Sequence, residues 1–300
     1  MVRIHVAASM NMDLAAYSDS LPRPGETVFG RAVAWSPGGK GLNQAVAAAR
    51  LGGDVAMLGF LGDDEMGAKV RAFLAAEGID ISCVGTLAGV ASGLAVILVD
   101  KSSQNAIVVI PGANMAWPTE ATTALAARRG DLVLATFEIP DAQIVAAFRR
   151  ARAAGAKTVL NPAPARAASA ELMALTDQLI LNEVELPMIL GRPVDPADLA
   201  AVERATRELV AGRDVVIVTL GDAGAVVVTP AAAWHVPPVP VTAIDTAAAG
   251  DCFIGAWAAA LARGADVRAA ATYANRAAAV SVTRRGTAVS LPRVGEVSGA

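Results

Sequence analysis

The chain has 300 residues, 54% of them hydrophobic and 18% charged, with a formal net charge of −3. High hydrophobicity and a nearly balanced charge exclude intrinsic disorder, and without a basic block no nucleic-acid partner is expected. No apolar run reaches the roughly 18–20 uncharged residues of a spanning helix, so no membrane partner is expected either.

The first apolar stretch soon meets Asp13 and is too short for a signal peptide. Cys83 and Cys252 are too few for a disulfide framework or a four-ligand zinc site, which fits a reducing cytoplasm. In chain order, residues 3–9 read as a strand, 41–51 as a helix, 55–61 as a buried strand and 64–77 as an amphipathic helix. A strand at 131–137 leads to a helix at 141–154, then to short apolar strands at 157–161 and 178–182. A helix at 196–211 opens on proline, as helix N-termini favour. Strands at 214–220 and 225–229 precede two alanine-rich helices at 250–263 and 267–283. Such alternation predicts an α/β fold, a mostly parallel sheet with helices on both faces.

Residues 13–37 and 92–110 break the pattern, with strand-like runs and no helix between them. Short strands are expected at 14–17 and 27–35, and a hairpin from 94–99 and 106–110. These four would form a small projecting sheet, or lid, on an α/β domain made of residues 1–12, 38–91 and 111–300. A sheet that small needs its apolar face covered, by substrate, by the main domain or by a second subunit, and a homodimer through the lid is expected.

The only histidines, His5 and His235, lie in strand-like stretches far from any glycine-rich turn. Ser-His-Asp catalysis and a multi-histidine metal site are therefore poorly supplied. Only Lys40, Lys69, Lys101 and Lys157 among the 25 basic residues are lysine, so a lysine inside Gly38-Gly39-Lys40-Gly41-Leu42-Asn43-Gln44-Ala45 stands out. Three glycines allow a tight turn and close approach of a ligand, and Lys40 and Asn43 offer a charge and an amide suited to a polyhydroxylated molecule. An ordinary loop-to-helix junction with a solvated lysine is the alternative. It is not a Walker A loop, because Gly41 follows Lys40 where Ser or Thr is required.

A second cluster, Asp245-Thr246-Ala247-Ala248-Ala249-Gly250-Asp251, runs into a helix. Small residues at a helix start leave amides free for an anion. Asp251 beside them is either a first-turn acid that complements the helix dipole or a base that takes a hydroxyl proton while the turn holds phosphoryl charge. Asn182-Glu183-Val184-Glu185, at a strand end, reads as a helix cap or as a pair able to organise hydrated Mg²⁺. Thr219-Leu220-Gly221-Asp222-Ala223-Gly224 fits a flat ring or a hairpin turn.

These motifs, in this order, resemble the PfkB sugar-kinase family and within it the ribokinase branch, over about residues 6–292. Supporting stretches are Met10-Asn11-Met12-Asp13, Pro111-Gly112-Ala113-Asn114 and Asn161-Pro162-Ala163-Pro164. The resemblance implies a three-layer, Rossmann-like fold and ATP-dependent phosphorylation of a small sugar, D-ribose on its 5-hydroxyl, with another sugar, sugar acid or nucleoside as the alternative. A non-catalytic sensor is the alternative of a different class. By the same resemblance Asn11, Asp13, Gly39, Lys40, Asn43 and Glu138 bind sugar, and Asp251 is the base beside the amides of Ala248, Ala249 and Gly250. Asn182 and Glu185 organise Mg²⁺ and phosphate, while Thr219, Gly221 and Asn275 lie near the nucleotide. Asp245, Ala247, Ser281, Arg284, Gly286 and Ser290 surround a K⁺ ion, partly through backbone carbonyls. Two positions depart from the family pattern. Ala248 stands where many relatives have Gly and is expected in an ordinary backbone conformation, and Leu42 stands where a smaller residue is common.

Overall fold

The computed structural model describes residues 2–102 and 104–297. The chain begins with β1 (Arg3–Ala7), β2 (Asn11–Ser18), β3 (Gly30–Gly38), α1 (Lys40–Arg50), β4 (Asp54–Gly62), α2 (Glu65–Ala76) and β5 (Asp80–Leu87). It continues through β6 (Gly93–Val99), β7 (Asn105–Ile110), β8 (Leu132–Thr136), α3 (Asp141–Ala153), β9 (Lys157–Asn161), α4 (Ala170–Ala174), β10 (Gln178–Asn182) and α5 (Glu185–Leu190). The last part holds α6 (Leu199–Leu209), β11 (Val215–Thr219), β12 (Ala225–Val228), β13 (Ala233–Val236), α7 (Ala249–Ala262) and α8 (Val267–Ser281).

Nine strands form one sheet in the order β13-β12-β11-β10-β9-β8-β1-β4-β5, parallel except at β11–β12–β13. Its central strands are apolar on both faces because both are covered. In β8, Leu132 and Leu134 pack into the core under α1, α7 and α8, while Val133 and Ala135 pack into the core under α3 and α6. The result is the α/β, three-layer arrangement expected. The carboxyl ends of β1, β8, β9, β10 and β11 all point to one edge, where open parallel sheets bind ligands.

A separate four-stranded sheet has the order β3-β2-β6-β7, with β2 and β6 parallel and the other pairs antiparallel. Its outer strands leave Val33, Trp35 and the run Ile107 to Ile110 exposed.

Several boundaries differ from the sequence reading. The helix expected at 196–211 begins at Leu199, because the Asp198 carboxylate accepts from the amides of Ala200 and Ala201 and sets the start there. The strand expected at 27–35 is shifted to Gly30–Gly38, and Phe29 stands exposed before it. β5 was not anticipated, and β13 was expected only as a strand-like stretch around His235, without bounds. Both are edge strands of the large sheet, with interspersed polar residues that hide an apolar run. The short helices α4 and α5 carried no periodic signal, at 5 and 6 residues.

Candidate active site

The β1–β2 junction and the start of α1 meet because glycines let them. Gly39 has φ 90°, and a Cβ there would sit 3.0 Å from the Asn11 amide nitrogen. A Cβ on Gly41 would lie 2.3 Å from the Ala8 Cβ and 2.7 Å from Ser9 backbone atoms. The approach brings the Leu42 amide to the Ser9 carbonyl at 3.0 Å. Glu138, just after β8, locks the junction: its carboxylate accepts from the Lys40 amide at 2.9 Å and from the Ser9 hydroxyl.

On β2, Asn11 and Asp13 are two residues apart and share a face of the small sheet. Asn114 holds Asn11 in place, donating from Nδ2 to Asn11 Oδ1 at 2.6 Å while its Oδ1 accepts from the Met10 amide. Asp13 is 5% exposed, and burial together with the carboxylates of Glu138 and Asp251 raises its pKa to about 6 against a hydrogen bond from Thr287. Any side chain at Gly38 would collide with that carboxylate, at 2.0 Å.

Across the sheet edge, α7 begins at Ala249, and its first helical bond runs from the Cys252 amide to the Ala248 carbonyl at 2.8 Å. The amides of Ala249, Gly250 and Asp251 precede that bond and have no helical acceptor. The Ala249 amide reaches the Thr246 carbonyl at 3.2 Å, which leaves Gly250 and Asp251 as the better anion donors. Ala248 corrects the sequence reading. Its φ of 59° and ψ of 12° are left-handed, the one such non-glycine residue among those described. For alanine this conformation costs roughly 1–2 kcal/mol, and strain of that kind gathers at functional sites.

The Asp251 carboxylate is buried, and burial raises its pKa. Lys40 opposes that shift, as do two amides, Asn43 Nδ2 donating to Oδ2 at 3.0 Å and Gln44 Nε2 donating to Oδ1 at 3.1 Å. The Lys40 pKa is raised in turn, first by Asp251 and further by Glu138 and Glu185, against its own burial. One ammonium therefore stands among several acids, and an acid-base step beside it is well supplied.

These groups open onto a cavity of about 190 Å³ lined by Lys40, Asn161, Asn182, Glu185, Thr219, Thr246, Ala248, Gly250 and Asp251, among others. At its far side Asn182 Oδ1 accepts from the amides of Val184 and Glu185, and Glu185 Oε2 accepts from the Asn182 amide at 3.0 Å. The pair is thus a reciprocal cap, and both members also line the cavity. Burial raises the Glu185 pKa.

Gly221 and Asn275 lie outside the cavity lining. A Cβ on Gly224, in the turn that Gly221 opens, would meet the Val236 carbonyl at 2.2 Å, and Asn275 Nδ2 donates to the neighbouring Pro237 carbonyl at 2.8 Å. The two are therefore linked through residues 236–237. The segments expected around K⁺ also meet. Asp245 Oδ1 accepts from the Ala247 amide and Oδ2 from the Gly286 amide, both at 2.9 Å, while the Val282 carbonyl accepts from the Ile244 amide at 2.7 Å. Arg284 turns its guanidinium to Glu296, and the hydroxyls of Ser281 and Ser290 donate to the carbonyls of Ala278 and Thr287.

Sequence reasoning did not single out Gln44, Asn114, Asn161 or Thr287 as site residues, although all but Thr287 fall in motifs it quoted. A glutamine directly before the buried apolar run Ala45 to Ala48 was the signal for Gln44, since a polar side chain there needs a buried partner.

A family model described as "pfkB family carbohydrate kinase" matches residues 1–294, and the chain belongs to that family. It is 38% identical over 263 residues to the ribokinase of Haemophilus influenzae, covering 85% of this chain and 84% of that protein. It is 39% identical over 265 residues, 87% of this chain, to a bifunctional ribokinase/ribose-5-phosphate isomerase A of Fructilactobacillus sanfranciscensis, and spans 49% of that longer protein. Among solved structures, the Arabidopsis thaliana ribokinase complexed with ribose and ATP superposes with a TM-score of 0.88 at 27% identity, covering 99% of this chain and 98% of that one.

Proposed function

We propose that this carbohydrate kinase transfers the γ-phosphate of ATP to the 5-hydroxyl of D-ribose, with Asp251 as general base. The observation that carries the reading is the Asp251 carboxylate in the first turn of α7, beside free amides, with Lys40 and Asn43 on one side and the cavity on the other. The ribokinases it resembles, one of them complexed with ribose and ATP, support the choice of substrates.

Sugar hydroxyls would be held by Asn11, Asp13, Lys40 and Asn43, with Gly39 giving room and Glu138 fixing the Lys40 backbone. Asn43 Oδ1 fits this role: it is buried without a hydrogen-bond partner among the described residues, an acceptor waiting for a hydroxyl donor. Asp251 takes the hydroxyl proton as the oxygen attacks phosphorus, ADP leaves, and the amides of Gly250 and Asp251 hold the equatorial charge, in the turn that Ala248 and Ala249 begin. Glu185 and Asn182, as oxygen donors on the phosphate side of the cavity, fit Mg²⁺, which when bound neutralises phosphate charge. Thr219, Gly221 and Asn275 would flank the nucleotide.

The Asp245 carboxylate, with backbone carbonyls around Ala247, Ser281, Arg284, Gly286 and Ser290, fits a hard monovalent cation, K⁺. Such an ion would steady the turn that carries Ala248 and so preorganise the amides. The small sheet would serve as a lid built from residues 13–37 and 92–110, and its exposed Val33, Trp35 and Ile107 to Ile110 would be covered in a homodimer. No helix among the described residues is long and apolar enough to cross a membrane, and both cysteines are free, in keeping with a cytoplasmic enzyme.

A coupled ADP-release screen with ribose, 2-deoxyribose, fructose, ketodeoxygluconate and adenosine, followed by phosphorus NMR of the product, tests the reading. Ribose is expected to give the highest kcat/KM and a 5-phosphate. A higher kcat/KM with any other member of the panel would overturn ribose as the substrate.

A further inference from the structure

Asp251 is held by more than its own helix. Gln44, one turn into α1 and fully buried, stands 3.1 Å from Asp251 Oδ1 and 3.2 Å from Asn161 Oδ1, both through Nε2. The orientation of both amides follows from their partners. Asn161 Nδ2 faces two acceptors, the Ile180 carbonyl at 3.1 Å and Glu185 Oε2 at 3.4 Å, so its Oδ1 must face Gln44. Gln44 then meets two acceptors and must present its NH₂ to both. Its Oε1 is left buried without a partner among the described residues. An unpaired buried acceptor is unfavourable, so the favourable contacts of this side chain are those of its NH₂.

We propose that Gln44 is a positioning residue for the proton transfer: its NH₂ ties the Asp251 carboxylate to the end of β9, aiming Oδ1 and keeping the carboxylate ionised. The proposal rests on the reading of Asp251 as general base. The same amide chain continues through Asn161 to Glu185, so the base and the phosphate side of the cavity share one buried network. The charged groups around Asp251 are Lys40 from α1, Asp13 from β2, Glu138 after β8 and Glu185 from α5. Lys40 is the one cation among them and the other three are acids, so losing a neutral donor leaves burial and three carboxylates opposed only by Lys40 and Asn43.

The test is the pH dependence of kcat with D-ribose and MgATP for the wild type, Gln44→Met and Asp251→Asn. Methionine keeps the length and removes both donors. The acidic limb of Gln44→Met is expected to move up by about one pH unit and kcat at neutral pH to fall about tenfold, as loss of a hydrogen bond to a charged group implies. KM for ribose and for ATP should stay within about twofold, because Gln44 touches neither in this reading. A folded Gln44→Met with an unmoved limb overturns the proposal. Should methionine disturb the fold, Gln44→Glu decides. It keeps the shape but sets a second carboxyl against Asp251, so its limb must rise further, and an unmoved limb overturns the proposal equally. Asp251→Asn separates the two levels. If it is nearly inactive while the Gln44 limbs stay put, only the role of Gln44 fails; if it remains active, the base reading fails and the role of Gln44 with it.

Discussion

At the start of α1 the left-handed residue is a glycine, Gly39 at φ 90°, and the space beyond Gly39 and Gly41 is filled by Asn11, Ala8 and Ser9. At the start of α7 the left-handed residue is Ala248 at φ 59°, and a Cβ on Gly250 would meet nothing within 4 Å. Both are small-residue turns opening a helix, and both border Asp251. The first is small because the chain packs against itself there. In the second, the chain leaves the space at Gly250 open, and in the proposed reading the transferred phosphoryl group takes it. Glycine content alone does not distinguish these cases; the neighbour at each missing Cβ does.

The contrast can be broken by substitution. Gly41→Ala should show the largest loss of stability, since overpacking costs about 1–3 kcal/mol and here the clash includes backbone. Thermal unfolding should report a clear drop in Tm, and an unchanged Tm would remove the packing role of the first turn. Gly250→Ala should not lower Tm, yet its Cβ, entering the open space, should hold the phosphate off the amides and lower kcat/KM for ATP about tenfold, the size of one weakened hydrogen bond to a charged group. A variant with lowered Tm and intact kinetics would reverse the contrast.

Asp13, pressed against Gly38 on the α1 side, brings a pH dependence. Its folded pKa of about 6 lies above the 3.8 of an ordinary aspartate, so between those values the folded state binds more protons and stability falls as pH rises. Sugar hydroxyls prefer the ionised carboxylate, so KM for ribose should fall as pH rises from 5 to 7, by at most about tenfold per unit below the pKa. Asp13→Asn should flatten this response, and a flat wild-type profile would detach Asp13 from the sugar. The smallest effect is expected for Ala248→Gly, which relieves a left-handed alanine and should add up to about 1 kcal/mol of stability. A loss of stability there would mean that the turn is not strained.

Much of this was legible in the sequence. The βα alternation located the parallel strands, because residues buried on both faces leave continuous apolar runs such as Val215 to Val218. The two glycine motifs meet in the fold at the candidate site, where Asp251, Lys40 and Asn43 converge. The edge strand β5 was missed and β13 was left without bounds, because both mix polar residues into their runs. The backbone of Ala248 was misread because a left-handed alanine is imposed by the turn around it and leaves no trace in residue type. Gln44 and Asn161 were quoted within motifs without a role, since their partnership with Asp251 and Glu185 joins residues from α1, β9, α5 and α7 that only the fold brings together.

The central claim is that the Asp251 carboxylate takes the proton of the hydroxyl that is phosphorylated. The most direct measurement is kcat of Asp251→Asn with D-ribose and MgATP, with ATP affinity measured by calorimetry on the same preparation. General-base loss should lower kcat by about 10²–10⁴-fold while ATP affinity and Tm remain close to wild type. A folded Asp251→Asn that binds ATP and keeps more than about a tenth of wild-type kcat would contradict the account.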